Sequence, residues 1–187
     1  MGSTEEIISI ATPAGTVRLR PERDGDQAFR YRLFCDSRLP EWALLRIDET
    51  VREQLMRHQF QAQTVSYRAD FPGARFDIIE LDGAPIGRIV VDRPGTNLHI
   101  VDQAIVPRER NRGIGTAVML ALMDEARRAD LPVRLKVASS NDPSMRLYLR
   151  LGFVPIEEAP MYIEMEWRAC GNALPTGAAQ AAPSGRS

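Results

Sequence analysis

The stretch Ile105-Val106-Pro107-Arg108-Glu109-Arg110-Asn111-Arg112-Gly113-Ile114-Gly115-Thr116 decides how this chain folds. It joins an extended run, Leu98 to Val106, to a helix whose apolar residues Ile114, Ala117, Val118, Ala121 and Leu122 recur at i, i+3, i+4, i+7 and i+8. Pro107 ends the strand because it cannot donate to a ladder. Gly113 and Gly115 lack a Cβ, so the main chain can bend sharply there and admit an anion at close range. The first turn of a helix leaves amides without intrahelical acceptors, and these point at whatever lies before it. The helix dipole adds roughly 0.3–1 kcal/mol of attraction for a negative charge, up to about 2 kcal/mol when partly buried. Arg108, Arg110 and Arg112 bring positive charge to the same mouth. A diphosphate is the guest that suits it. No Gly-Lys-Ser/Thr follows, so this is not a Walker loop, and the third glycine of a dinucleotide fingerprint would fall at Val118. A glycine turn that merely packs helix on strand has the same local sequence.

Working outward, the upstream side reads as a meander. Phe76 to Leu81 is a strand, Asp82-Gly83 a hairpin turn, and Ile86 to Val91 the partner strand. Pro94-Gly95 turns the chain again into Leu98 to Val106. Before the meander, Thr16 to Arg20 alternates as a strand closed by Pro21. A helical pattern covers 24–38, with Phe29, Leu33 and Phe34 on one side, until Pro40 interrupts. Asp48 is an N-cap for a second helix reaching about Gln63, whose face is weakly apolar. Downstream, Leu131-Pro132 stops the central helix and Val133 to Val137 forms a strand. Asn141-Asp142-Pro143 starts a short helix that ends at Gly152. Phe153 to Ile156 and Met161 to Trp167 are the last strands. The fold class is therefore mixed α/β: a central, mostly antiparallel sheet with one parallel strand–helix–strand crossover, flanked by helices. Residues 1–15 read as a flexible lead-in, 16–168 as one domain, and 169–187, rich in Ala, Gly, Pro and Ser, as a disordered tail.

The bulk numbers narrow the function classes. The 187 residues are enough for one domain with a core. The formal net charge of −1 supplies no global positive field, which speaks against nucleic acid as a partner. Lys136 is the only lysine among 24 basic residues, a bias we read as a GC-rich, bacterial coding preference. Cys35 and Cys170 make neither a disulfide framework nor a zinc spacing, and no metal site is expected. The longest apolar run, Ala117 to Met123, is far short of the ~20 residues needed to cross a bilayer. The opening MGSTEEIISI lacks the apolar core of a signal peptide, so the expected location is cytoplasmic, with no membrane partner.

Two motifs carry a resemblance. Arg110-Asn-Arg-Gly113-Ile-Gly115 matches the Q/R-x-x-G-x-G/A cofactor motif of the GNAT superfamily of acetyl-CoA-dependent N-acetyltransferases. Asn141, followed seven residues later by Tyr148 and then Leu151-Gly152-Phe153, is similar to that family's N-x-x-A-x-x-L-Y-x-x-x-G-F segment, with Ser144 at the alanine position. The resemblance implies that 16–168 is an N-acetyltransferase domain with acetyl-CoA (coenzyme A) as cofactor. The amides of Arg110, Arg112, Gly113, Ile114, Gly115 and Thr116 would then bind the diphosphate. Ile105 and Val106 would pair with the pantetheine arm as a pseudo-strand, and Asn141 would touch that arm. Tyr148 would stand near the thioester sulfur as general acid.

Acetyl transfer needs a neutral amine. A lysine-like ammonium of pKa ~10.4 costs roughly 4–5 kcal/mol to deprotonate at pH 7, so a base or water chain must take the proton. Asp102 is favoured as that base, because a charge on a central strand needs a reason; His99 and Glu80 are alternatives. The offset of three between His99 and Asp102 predicts that they face opposite sides of the strand. His58, Phe60, Tyr67 and Trp42 are available to shape the acceptor site and read equally well as packing. The acceptor is a primary amine of a small molecule or of a peptide or protein. A non-catalytic acyl-CoA sensor and an acetyltransferase toxin acting on aminoacyl-tRNA are the other readings. Dimers are common in the superfamily, and a homodimer is left open by the sequence.

Overall fold

The structure is a computed structural model that describes residues 7–42 and 46–169, the side chains of 39–41 excepted. The residues at 1–6 and the tail from Cys170 onward, which carry parts of the expected lead-in and tail, lie outside the described residues. In chain order the elements are β1 (Ile8–Thr12), β2 (Gly15–Pro21), α1 (Gln27–Trp42), α2 (Glu49–Asp70), β3 (Arg75–Leu81), β4 (Ala84–Asp92), β5 (Leu98–Ile105), α3 (Ile114–Arg128), β6 (Val133–Ala138), α4 (Asp142–Arg150), β7 (Val154–Glu158) and β8 (Tyr162–Trp167). Among the described residues the strands form one sheet in the order β1-β2-β3-β4-β5-β6-β8-β7. Every neighbouring pair is antiparallel except β5 and β6, which are parallel and joined through α3. This is the expected mixed α/β sheet with a single crossover.

Three boundaries differ from the sequence reading. Ile8–Thr12, read as lead-in, is a strand hydrogen-bonded to β2, with Ile10 buried against the core. The α1 helix runs through residue 40 to Trp42, past the proline, which forfeits one i→i−4 bond there without ending the helix. The α2 helix continues seven residues past Gln63 to Asp70, because nothing breaks it before Pro72. Its start is as read: the Asp48 side chain accepts the Thr50 N–H at 2.8 Å.

The two faces of the sheet are covered differently. On one, Val118, Met119 and Leu122 of α3 pack on Leu19, Ile89 and Ile100 of the sheet. Each such fully buried side chain contributes about 1.5–3 kcal/mol. Met145 and Tyr148 of α4 join this cluster. On the other face, Phe29 and Leu33 of α1 cover Ile78, and α1 and α2 are held together by Phe34, Trp42, Met56 and Phe60.

The strand that leads to the glycine turn is irregular. Val90 pairs with Asp102 but its neighbour Val91 pairs with Ile100, so Val101 is an extra residue, a β-bulge. The pairing of β5 with β6 covers only Leu98–Val133, His99–Arg134 and Ile100–Leu135. Past the bulge, β5 stays bonded to β4 as far as Ile105, and β6 stays bonded to β8 as far as Ala138. The inner edges of β5 and β6 therefore part, each held by its outer neighbour.

Candidate active site

The turn after β5 places its amides as the glycine argument requires. Val106 leads into a 3-10 turn at Pro107–Glu109, and Gly113 caps α3 in the left-handed region at φ 77°. Asn111 is also left-handed, at φ 59°. Ala117 N–H donates to Gly113 O at 2.9 Å, so the amides of Ile114, Gly115 and Thr116 precede the first intrahelical bond and stay open toward the end of β5. The Ile114 side chain is core, and only its main chain belongs to the turn.

Two side chains pin the turn to the strand. Arg110 Nε donates to Ile105 O at 2.8 Å, and Gln103 Nε2 donates to Gly115 O at 3.2 Å. Gly113 is held from the other side, since a Cβ there would lie 2.8 Å from Cγ and 3.1 Å from Cδ of Pro13, in the β1–β2 hairpin. The missing side chain at 113 thus accommodates the hairpin as well as the backbone bend. At Gly115 a Cβ would be 3.4 Å from Ile105 Cδ1, an ordinary contact. The positive charge is smaller than the arginine count implied. Glu109 pairs with Arg112 and lies 3.8 Å from Arg108, so two of the three guanidiniums share one carboxylate.

Asp102 lies on β5 just past the bulge, where that strand parts from β6, and Tyr148 of α4 is near enough to feel its charge. Protein surrounds Asp102 on most sides, yet 26% of its side chain is open, as at the floor of a cleft. Burial pushes its carboxyl above the ordinary carboxylate range, against the pull of Arg88, whose Nη1 is 3.2 Å from Oδ2. Tyr148 packs against Phe153 with the rings tilted and their centroids 5.7 Å apart. Its hydroxyl is pushed up to about 12, first by burial and then by the Asp102 charge. Tyr67 of α2, also pushed up to about 12 by burial and by Asp102, accepts a hydrogen bond from Gln63 Nε2 at 3.1 Å. Asp102 therefore has tyrosines from two different helices within electrostatic reach.

The other candidate bases are occupied elsewhere. His99 stacks edge-on against Phe71 at 5.3 Å, where β5 and β6 are still paired, and burial lowers its pKa. Glu80 accepts from Arg20 Nε at 2.6 Å. The expected opposition of His99 and Asp102 is corrected by the bulge: one extra residue reverses the alternation, so both lie on the face covered by α1 and α2. His58 is exposed, and Phe60 and Trp42 are core residues of the α1–α2 pair, which leaves Tyr67, within reach of the Asp102 charge. Asn141 caps α4, its Oδ1 accepting the Ser144 N–H at 3.2 Å. Sequence reasoning passed over Arg88, Gln103 and Pro13. A polar Gln103 on a half-buried strand was the one available signal among them. Among the described residues no cluster of His, Cys, Asp or Glu could hold a metal ion.

A protein-family model described as the acetyltransferase (GNAT) family matches residues 41–153. The chain belongs to that family. Over 99 residues this GNAT chain is 33% identical to an N-alpha-acetyltransferase of Sulfurisphaera tokodaii, a stretch covering 45% of the chain and 59% of that relative. Little more than half of the relative's length is therefore matched. The PaiA N-acetyltransferase from Thermoplasma acidophilum, solved in complex with coenzyme A, superposes with a TM-score of 0.63 at 18% identity, covering 82% of this chain and 99% of that one. RimJ from Mycobacterium smegmatis, solved with CoA-disulfide, superposes with a TM-score of 0.58 at 19% identity, covering 87% of each. These likenesses establish the GNAT fold. The family's acyl donor is acetyl-CoA, and the open amides and the stretch of β5 that has no β6 partner suit such a group, with Arg110 holding Ile105 O at the end of that stretch. No helix among the described residues is long and apolar enough to cross a membrane.

Proposed function

We propose that this chain transfers an acetyl group from acetyl-CoA to a primary amine of a small molecule or peptide. The observation that carries the reading is the parting of β5 and β6 at Val101, with Asp102 on β5 just past it and Tyr148 of α4 close enough to feel the Asp102 charge. In this reading the amides from Arg110 through Arg112, Gly113, Ile114, Gly115 and Thr116 hold the diphosphate. The edge of β5 at Ile105 and Val106 holds the pantetheine arm, which displaces the Arg110 guanidinium from Ile105 O, and the Asn141 Nδ2, left over from capping, donates to it. Acetyl-CoA supplies the activated acetyl thioester. Asp102 accepts the proton of the acceptor ammonium, and its raised pKa brings it closer to the amine it must deprotonate. Tyr148 gives its hydroxyl proton to the departing sulfur; its elevated pKa keeps that proton in place at neutral pH until then.

A thiol-release assay with acetyl-CoA against a panel of amines, amino acids and peptides tests the reading. The name of the Sulfurisphaera relative supports beginning with peptide α-amines, whose pKa of about 7.7–8.0 also makes them the easier acceptors. Turnover with one class and not another identifies the acceptor. Tight coenzyme A binding without turnover on any acceptor would favour a sensor instead.

A further inference from the structure

Beneath the cleft lies a cluster of charges that none of the motifs contains. Glu22 follows β2 and continues its pairing, with its N–H donating to Phe76 O at 2.9 Å. Its side chain is only 4% exposed and meets three guanidiniums: Arg88 Nε at 2.5 Å, Arg30 Nε at 3.2 Å and Arg68 Nη2 at 3.2 Å. Arg88 is nearly as buried and is shared, with Nε on Glu22 and Nη1 on Asp102. Both contacts draw on one rigid, planar group. The Nε contact to Glu22 fixes the plane of the Arg88 guanidinium, and in that plane Asp102 is met by Nη1 alone, unlike Arg20, whose fork holds both oxygens of Asp26 while its Nε is on Glu80. The longer, single contact to Asp102, 3.2 Å against 2.5 Å, is what such a division predicts.

We propose that Glu22 is a positioning residue for the base: by holding Arg88 through Nε it keeps that guanidinium from closing on Asp102 and leaves the carboxylate free to face the acceptor. This rests on the reading of Asp102 as the base. The surroundings of Asp102 are consistent with it. Arg88 from β4 and Arg38 from α1 favour its charged form, while burial and the Glu22 charge oppose it. Tyr67 from α2 and Tyr148 from α4 complete the ring of titratable neighbours. Without Glu22, Arg88 swings into a two-pronged pair with Asp102, which weakens the base and draws it out of the cleft.

The test is Glu22→Gln, read in two ways. The Asp102 carboxyl is titrated by carbon NMR in aspartate-labelled protein, with Asp102→Asn assigning the signal, and the pH profile of kcat/KM is recorded on the best acceptor. The expected result is a fall in the carboxyl pKa and in the acid limb by about 0.5–1 pH unit, with kcat down several-fold and KM for acetyl-CoA unchanged. Should three guanidiniums around a glutamine prevent folding, Glu22→Gln/Arg30→Gln removes one charge of each sign and still frees Arg88; the same shift is expected. An unmoved carboxyl titration in a folded variant overturns the proposal. If Asp102→Asn itself retains activity and the acid limb, the base assignment fails; the NMR titration then still reports whether Glu22 governs the carboxyl.

Discussion

The two glycines of the turn lead to opposite expectations. Alanine at Gly113 must adopt φ 77°, which costs an L-residue about 1–2 kcal/mol. Its Cβ would also come 2.8 Å from Pro13 Cγ, an overpacking that adds about 1–2 kcal/mol unless the hairpin moves. Together these amount to about 2–4 kcal/mol, divided between folding and the coenzyme A-competent shape of the turn. Wholly expressed in binding, that is roughly a thirty-fold to thousand-fold weaker Kd. Gly115 lies in the first turn of α3, where an added Cβ finds ordinary contact distances, so Gly115→Ala leaves affinity within about threefold and raises stability by up to about 1 kcal/mol. The assays are isothermal calorimetry with coenzyme A and urea unfolding, run on both variants and on Gly113→Ala/Pro13→Ala. The double variant recovers the steric share and leaves the backbone share. If Gly113→Ala matches wild type in both assays, or if Gly115→Ala is equally damaging, the account of the turn is wrong.

Other expectations concern the cleft. Tyr148→Phe lowers kcat by about 10²–10⁴ in steady-state thiol release while coenzyme A affinity holds; unchanged turnover removes Tyr148 from the chemistry. Asp102→Asn abolishes the acid limb of kcat/KM, which in wild type lies above the usual carboxylate range. Because the folded-state pKa is raised, the native protein binds the Asp102 proton more readily than the unfolded chain. Wild type therefore loses stability as pH rises from the unfolded value through the folded one, and Asp102→Asn should unfold at equal or higher urea than wild type at pH 7; a large loss of stability would contradict this. Asn141→Asp keeps the α4 cap but loses Nδ2, so it should weaken coenzyme A binding with stability retained, whereas Asn141→Ala costs about 0.5–2 kcal/mol of stability as well. Equal coenzyme A affinity in wild type and Asn141→Asp would assign Asn141 to capping alone.

The element order was legible because periodicity and punctuation agree along most of the chain. Asp82-Gly83 and Pro94-Gly95 mark the meander, and Gly113 and Gly152 mark helix ends. The glycine turn was legible for the same reason: local backbone demands leave local residue types. What stayed hidden depends on long-range geometry. Alternation assumes an unbroken period of two, so it placed His99 and Asp102 on opposite faces and could not register a bulge at Val101. The contact between Pro13 and Gly113 joins residues a hundred positions apart, and the sharing of Arg88 by Glu22 and Asp102 joins three strands. Counting arginines near the turn overstated its charge because their shared partner, Glu109, sits within the same motif.

The extra residue at Val101 also bears on how such a site could be gained or lost. Exchanging its side chain for another leaves the count of residues, and hence the facing of Asp102, untouched. Removing the residue altogether would set Ile100 beside Asp102 in regular alternation, on the opposite faces they already occupy, so the strand would straighten without turning the carboxylate away. What would carry Asp102 to the α3 side is a ladder that takes Val101 into regular pairing with every residue kept, so the site depends on how β4 and β5 are matched.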